Sequence, residues 1–169
     1  MSELHQKIFD FAVRASLGGE DYFVGPSNQD AVAWLDKWPE WPGPALIIYG
    51  PGGCGKSHIA NVQLARSAGV LVTPALLKQV ELPDILESAL HYVVDDADSG
   101  FEEEDLLHLY NGLADAGGTL LLTAKVSPAR WNSQLKDLDS RLKAAASVAI
   151  GQPDDCLLYT SPSPRDATL

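Results

Sequence analysis

The sequence has few basic residues. Of its 169 residues, 12 are Lys or Arg and 23 are Asp or Glu, which gives a formal net charge of −11. A protein that holds duplex DNA with its own surface needs clustered cations to neutralise the phosphates. The composition therefore argues against direct binding of DNA, and we expect any contact with DNA to be indirect.

Cysteine and long apolar runs are also scarce. The two cysteines, Cys54 and Cys156, are too few for a disulfide framework. The first residues lack the basic stretch and apolar core of a signal peptide, and no run approaches the roughly 18 apolar residues of a membrane span. We expect a cytoplasmic protein with no membrane contact. A hydrophobic fraction of 46% is sufficient for a globular core.

Short β-branched or aliphatic runs alternate with stretches of helical spacing. This alternation is typical of an α/β fold in which a parallel sheet is covered by helices on both faces. We expect five strands, at residues 45–49, 70–73, 92–95, 119–123 and 147–150. We expect helices at residues 30–38, 55–67, 103–116, ending at Gly117 and Gly118, and 128–135.

The strongest motif lies between the first expected strand and the helix after it. Residues 50–57 read Gly-Pro-Gly-Gly-Cys-Gly-Lys-Ser and fit the phosphate-binding pattern G-x-x-x-x-G-K-[ST]. Glycines let backbone N–H groups surround a phosphate, and the helix N-terminus adds partial positive charge. Lys56 would reach the β- and γ-phosphates of ADP or ATP, and Ser57 would bind Mg²⁺. The alternative is a glycine-rich turn that matches by chance. The residues expected at the nucleotide are Gly50, Pro51, Gly52, Gly53, Cys54, Gly55, Lys56, Ser57 and His58.

Two adjacent carboxylates end the third expected strand. After Tyr-Val-Val, Asp95 would hold Mg²⁺ and Asp96 would polarise an attacking water. A glutamate is usual in the second position of vigorous ATPases, so the shorter Asp96 predicts slow hydrolysis. Paired acids at a strand end also occur by chance, but less often downstream of a phosphate-binding loop.

With these parts in order, residues 6–155 resemble the DnaA/Hda family of AAA+ proteins, and most closely its short Hda-type members. The resemblance implies an AAA+ base subdomain of the P-loop NTPase class. The segment 22–28, Tyr-Phe-Val-Gly-Pro-Ser-Asn, is similar to the family segment that lies against adenine. It implies that Phe23, Val24 and Gly25 line the base pocket, a hydrophobic turn being the alternative. Thr123, at the end of the fourth strand, would contact the γ-phosphate or its water, or would simply be a β-favouring threonine.

The segment 138–142, Leu-Asp-Ser-Arg-Leu, resembles the family stretch that supplies an arginine finger. The resemblance implies that Arg141 acts in trans, on a nucleotide held by a neighbouring subunit. A guanidinium there stabilises charge on the transferred phosphoryl oxygens. An ordinary surface arginine is the alternative.

The segment 6–11, Gln-Lys-Ile-Phe-Asp-Phe, is similar to the peptide through which Hda-type proteins bind the β sliding clamp of DNA polymerase III. Lys7 departs from the usual leucine, and packing of the segment on its own domain is the alternative. The residues implied at the clamp are Gln6, Ile8, Phe9 and Phe11.

The chain divides into three expected parts. Residues 1–20 form an N-terminal segment with the clamp peptide, and residues 21–155 form the nucleotide-binding subdomain. Residues 156–169 change abruptly to Pro, Ser and Thr and resemble translated adaptor sequence, so we expect a non-native disordered tail. This tail starts where the helical lid of the family would begin, so we expect the lid and its sensor 2 arginine to be absent. Because the phosphate-binding loop comes early, we expect no N-terminal oligomerisation region, which favours the Hda type.

The preferred interpretation is a regulator of replication initiation. It would bind adenine nucleotide and the sliding clamp, promote hydrolysis of DnaA-bound ATP and so limit re-initiation, being itself at most a weak ATPase. It would meet the nucleoid through its partners, and the sequence leaves self-association open. The alternatives are a DnaA-like initiator or helicase loader that hydrolyses its own ATP on DNA, a small-molecule kinase, and a loop that binds nothing.

Overall fold

A five-stranded sheet forms the centre of the computed structural model, which describes residues 28–52 and 55–151. All of its neighbouring strands run parallel, in the order β2-β3-β4-β1-β5. The strands are β1 (Ala45–Tyr49), β2 (Val70–Leu71), β3 (His91–Val94), β4 (Thr119–Ala124) and β5 (Ala146–Ala149). The helices of the described ranges are α1 (Gln29–Asp36), α2 (Lys56–Ser67), α3 (Pro74–Gln79), α4 (Leu82–Ser88), α5 (Glu103–Ala116) and α6 (Lys136–Ala144), with a 3₁₀ turn at Pro128–Arg130.

The α/β class and the five parallel strands predicted from the sequence are confirmed. Helix α5 ends as expected, with Gly117 in the left-handed conformation at φ 78°. Helix α1 ends at Asp36, two residues earlier than expected, and β2 is only two residues long. Thr73, expected in that strand, instead caps α3 by accepting a hydrogen bond from the Leu76 N–H at 3.1 Å.

The helix predicted at residues 128–135 is wrong. Pro128 begins only a 3₁₀ turn, and Asn132 at φ 59° stops any continuation, because a left-handed residue cannot extend a right-handed helix. The regular helix α6 begins at Lys136 instead. Helices α3 and α4 were not predicted, although each has a proline in its first turn, which is a helix-start signal.

The sheet buries apolar side chains on both faces. Alternate residues of β1 point to opposite sides, so Leu46 and Ile48 pack with α1 and α2, whereas Ala45 and Ile47 pack with α5 and α6. Every residue of β4 is buried, as expected for the middle strand of a parallel sheet. No helix in residues 28–52 and 55–151 has the length and apolar character that crossing a membrane demands.

The parallel direction brings the carboxyl ends of β3, β4 and β1 to one edge. In this register Val94 is opposite Leu122, and Tyr49 is opposite Ala124. The loop after β1 and the turn after β3 therefore lie on either side of the end of β4. Ligands of open parallel sheets bind at this kind of edge.

The packing of this sheet can be tested by a substitution in the turn between α5 and β4. A Cβ atom on Gly118 would lie 2.2 Å from the backbone oxygen of Leu90, which also accepts the N–H of Thr119. Gly118→Ala would push β4 away from the residue before β3, so we expect it to lower the free energy of unfolding by about 1–3 kcal/mol. Urea denaturation followed by circular dichroism measures this.

Gly43→Ala is the matched control, because a Cβ atom there meets nothing within 4 Å. It should change the free energy of unfolding by less than about 0.5 kcal/mol. Equal stability of the two variants would contradict the close approach of Gly118 to Leu90.

Candidate functional site

The loop that joins β1 to α2 forms one wall of the candidate site. Gly55 caps α2 at φ 98°, a backbone conformation that L side chains rarely adopt, which explains the glycine at this point of the motif. Lys56 and Ser57 follow as the first two residues of the helix. The side chains that the motif singles out therefore start in the first turn of α2, where N–H groups lack helical partners.

Lys56 is held against this loop. Its side chain is 5% exposed, and its Nζ donates hydrogen bonds to the carbonyl oxygens of Gly50 at 2.7 Å and Pro51 at 2.9 Å. Burial of an ammonium group is costly unless its N–H groups are hydrogen-bonded. The two carbonyls offset that cost and keep a positive charge at the loop.

Two hydroxyl groups fix the carboxylate of Asp95. Ser57 Oγ donates to Asp95 Oδ2 at 2.8 Å, and Thr123 Oγ1 donates to Asp95 Oδ1 at 2.5 Å. Each oxygen of the carboxylate thus has one donor, and the donors come from α2 and from β4. The side chain of Asp95 is thereby oriented from both sides.

Ser57 and Asp95 provide oxygen ligands that suit a magnesium ion. Mg²⁺ takes oxygen ligands and is usually bound by one or two carboxylates together with substrate phosphates. The oxygens of Ser57 and Asp95 lie side by side at 2.8 Å. In the part of the chain that the structure describes, no group of three or more His, Cys, Asp or Glu could hold a metal ion unaided. The donor set is therefore suited to an ion that also binds phosphate.

The turn after β3 is attached to the end of β4 by a series of hydrogen bonds. Asp96 adopts φ 56°, and its N–H donates to Thr123 Oγ1 at 2.8 Å. The Ala97 N–H donates to the carbonyl of Thr123 at 2.7 Å, and the Lys125 N–H donates to Asp98 Oδ2 at 2.8 Å. Aspartate tolerates the left-handed conformation better than most residues. These bonds set the position of Asp96 relative to β4.

Thr123 lies behind the site rather than on its surface. The residue is fully buried, and its single hydroxyl proton is donated to Asp95 while its oxygen accepts from Asp96. A hydroxyl has only one proton to donate. In this arrangement Thr123 orients the acidic turn, a role that the sequence did not suggest, and its contact with the γ-phosphate or its water stays a prediction.

A cavity of about 350 Å³ opens between these elements. Its volume falls within the range of small-molecule sites. Lysine, hydroxyl and carboxylate groups face the same space, which suits a charged ligand. The lining residues are Gly52, Gly55, Lys56, Ser57, His58, Asp96 and Lys125.

Lys125 is the lining residue that the sequence analysis missed. It directly follows Ala124 at the end of β4. The only available signal was its position two residues after the polar Thr123, within a chain that has few cations. No spacing rule singles out such a lysine.

Arg141 lies outside the cavity. It is exposed on α6 and is not among the residues that line the cavity. Burial raises the pKa of Tyr110 on α5, and the nearby positive charge of Arg141 partly opposes that rise. Arg141 therefore sits at the surface near the contact of α5 with α6.

Several predicted site residues fall outside the described residues. These are two residues of the phosphate-binding loop, the three implied for the base pocket, and the clamp peptide: Gly53, Cys54, Phe23, Val24, Gly25, Gln6, Ile8, Phe9 and Phe11. The expected tail at 156–169 also lies outside them.

The chain has sequence relatives among characterised proteins, and one of them is a replication initiator. The chain is 28% identical to the chromosomal replication initiator protein DnaA of Roseiflexus castenholzii over 183 residues, an alignment that includes 90% of this chain. The chain spans only 38% of the length of that protein. No family model matches the chain.

Solved structures share the fold. AMPPCP-bound DnaA from Aquifex aeolicus superposes with a TM-score of 0.66 at 21% identity, over 77% of this chain and 48% of that one. Domain III of Thermotoga maritima DnaA gives a TM-score of 0.66 at 21% identity, over 89% and 71%. DnaA bound to AMPPCP and single-stranded DNA gives 0.63 at 18% identity, over 82% and 53%. The protein therefore has the α/β fold of the DnaA AAA+ domain, together with distant sequence similarity to DnaA.

Proposed function

We propose that the protein binds an adenine nucleotide with Mg²⁺ in the cavity at the carboxyl edge of the sheet. The observation that carries this proposal is the hydrogen bond from Ser57 to Asp95, next to Lys56, whose ammonium group is held at the loop after β1. Similar solved structures of DnaA contain AMPPCP, an ATP analogue, which supports the choice of adenine nucleotide.

Each group has a distinct role in this proposal. Lys56 exchanges its contacts with the loop carbonyls for the β- and γ-phosphates, and the N–H groups of the loop surround the phosphate. Ser57 and Asp95 hold the metal ion, which neutralises charge on the phosphate oxygens when it is bound. The base would lie against Phe23, Val24 and Gly25.

Hydrolysis by the protein itself would be slow. Asp96 lines the cavity and is the candidate for orienting an attacking water. Its side chain is one methylene shorter than glutamate, which reduces its reach. We therefore propose a nucleotide-binding protein with at most weak ATPase activity.

We further propose that the protein is a regulator of replication initiation of the Hda type. In it, the segment with Gln6, Ile8, Phe9 and Phe11 binds the sliding clamp, and Arg141 acts on ATP held by DnaA. Two observations support this reading: Arg141 is exposed and away from the cavity of its own chain, and the net charge of −11 disfavours direct binding of DNA. Such a protein would work in the cytoplasm, at the nucleoid through its partners.

A DnaA-like initiator or helicase loader is the second candidate. The 28% identity to DnaA and the shared fold favour it as much as they favour the Hda type. In this case Arg141 would act on nucleotide bound by another copy of the same chain. The two candidates differ in whose ATP is hydrolysed.

The nucleotide site is tested by Lys56→Ala. Loss of the ammonium removes charge-assisted bonds to phosphate, so we expect affinity for Mg²⁺-ATP and Mg²⁺-ADP to fall about tenfold to a hundredfold. Isothermal titration calorimetry measures it. Lys143→Ala is the control, because Lys143 lies on α6 and pairs with Asp139 at 2.9 Å. Absence of adenine nucleotide binding by the unaltered, folded protein would contradict the proposal.

The regulatory reading is tested by Arg141→Ala. This variant should bind nucleotide normally but lose about 10³-fold or more of the stimulation of ATP hydrolysis on DnaA. Phosphate release from DnaA loaded with radiolabelled ATP, with the sliding clamp on DNA, measures this loss. Arg130→Ala, which removes another exposed arginine, is the control. If Arg141→Ala instead abolishes hydrolysis by this protein alone, the initiator candidate is favoured; unchanged stimulation rejects the finger.

A further inference from the structure

The start of helix α6, which carries Arg141, is held by a side chain of helix α5. We propose that Glu103 is a positioning residue, which fixes the start of α6 through a hydrogen bond and so places Arg141 for hydrolysis of ATP on a neighbouring molecule. This inference rests on the proposed function of Arg141, and it names a residue that acts through that arginine.

The contact joins the first residue of α5 to the loop before α6. Both oxygens of the Glu103 carboxylate accept the backbone N–H of Gln134, Oε1 at 3.0 Å and Oε2 at 3.2 Å. The two residues are 31 positions apart in the chain, and Gln134 directly precedes Leu135, the N-cap of α6. Hydrogen bonds to an ionised acceptor are stronger than those between neutral groups. The carboxylate therefore anchors the chain where α6 starts.

Helix α6 has no N-terminal side-chain cap of its own. Its N-cap residue is Leu135, whose side chain has no hydrogen-bonding group. The first N–H groups of a helix lack intrahelical partners and carry partial positive charge. A carboxylate beside this end is electrostatically favourable. Glu103 thus provides, from another helix, an anchor that the sequence of α6 does not supply.

Apolar packing holds α6 against α5 but does not define its orientation strictly. Leu138 and Leu142 of α6 are buried in the same core cluster as Leu106 and Tyr110 of α5. Hydrophobic contact is non-directional, so it restrains rotation and sliding of a helix less strictly than a hydrogen bond does. Glu103 lies on the same face of α5 as Leu106 and Tyr110, because the three are spaced by three and four residues. It adds a directional restraint to the apolar contact.

Arg141 is the side chain that depends on this restraint. It is exposed in the second turn of α6, so a change in rotation or tilt at the start of the helix is transmitted to its guanidinium group. Its positive charge partly opposes the rise in the pKa of Tyr110 that burial causes, so Arg141 is near the face of α5 that begins at Glu103. A misplacement of about 1 Å can cost about a hundredfold in rate. The orientation of α6 therefore matters for a reaction that Arg141 assists.

The test compares Glu103→Ala, which removes both acceptor oxygens, with Glu103→Gln, which keeps one. The full chain is titrated into DnaA loaded with radiolabelled ATP, with the sliding clamp on DNA, and phosphate release is measured. We expect Glu103→Ala to lower the maximal rate about tenfold or more, because Arg141 is misplaced in the complex. The concentration of protein that gives half-maximal stimulation should change less than about twofold, because no contact with DnaA is removed. Glu103→Gln should stay within about threefold of the unaltered rate.

Glu104→Ala is the matched control. Glu104 is the next residue of the same helical turn and is exposed, so its removal takes the same charge from the start of α5. It leaves the bond to Gln134 intact, because both acceptor oxygens belong to Glu103. We expect it to change neither the maximal rate nor the half-maximal concentration. Urea denaturation followed by circular dichroism checks that the three variants are folded in the assay.

The outcomes separate the two proposals. If the unaltered protein does not stimulate hydrolysis on DnaA, or if Arg141→Ala stimulates normally, the proposed regulatory function fails and this inference fails with it. If Arg141→Ala loses the stimulation but Glu103→Ala keeps the maximal rate, or if Glu104→Ala lowers that rate equally, only the role of Glu103 is overturned. A raised half-maximal concentration in Glu103→Ala also overturns it, because it indicates direct contact with DnaA. A lower maximal rate alone, restored in Glu103→Gln, supports the proposal.

Discussion

The carboxylate of Asp95 connects the parts of the candidate site. Ser57 reaches it from α2 and Thr123 reaches it from β4, so one side chain is hydrogen-bonded to two other elements. Each oxygen of the carboxylate is oriented by a donor, which suits the group to the metal ion of the proposed nucleotide site. Removal of either hydroxyl would release the acid from one of the elements that position it.

This arrangement depends on the order of the sheet. Because β4 is inserted between β1 and β3, the phosphate-binding loop and the acidic turn are separated by the width of one strand. Thr123, within β4, ties that strand to the acidic turn by bonding to Asp95 and to the N–H of Asp96. The left-handed conformation of Asp96 is supported by the same threonine. The middle strand therefore sets the spacing of the site and holds the acidic turn.

The charge at the cavity differs from the charge of the chain as a whole. The chain is strongly acidic as a whole, yet its cavity is lined by Lys56 and Lys125. Two cations at one cavity suit the polyphosphate of the proposed nucleotide, whereas the net negative charge of the chain is unfavourable for nucleic acid. Arg141, exposed on α6, is a third cation that the fold keeps away from this cavity. Such a separation suits an arginine that acts on a neighbouring molecule.

The sequence alone determined the parts whose signals are local. A phosphate-binding loop needs glycines, a lysine and a hydroxyl in consecutive positions, and the strands are continuous apolar runs, so both were identified from neighbouring residues. The sequence was less informative where two local signals compete. Pro128 suggested a helix start, but the left-handed Asn132 ended the turn. The prolines in the first turns of α3 and α4 are helix-start signals, but each helix has only six or seven residues, too few for a clear apolar period.

The tertiary structure decided what each polar side chain contacts. Thr123 lies 28 residues from Asp95 in the chain, and its proton is donated there because parallel pairing places the ends of β3 and β4 side by side. Lys125 reaches the cavity for the same reason. Hydrogen-bond partners so distant in sequence leave no periodic pattern, since they are set by strand order and register, and these emerge only when the whole sheet is assembled.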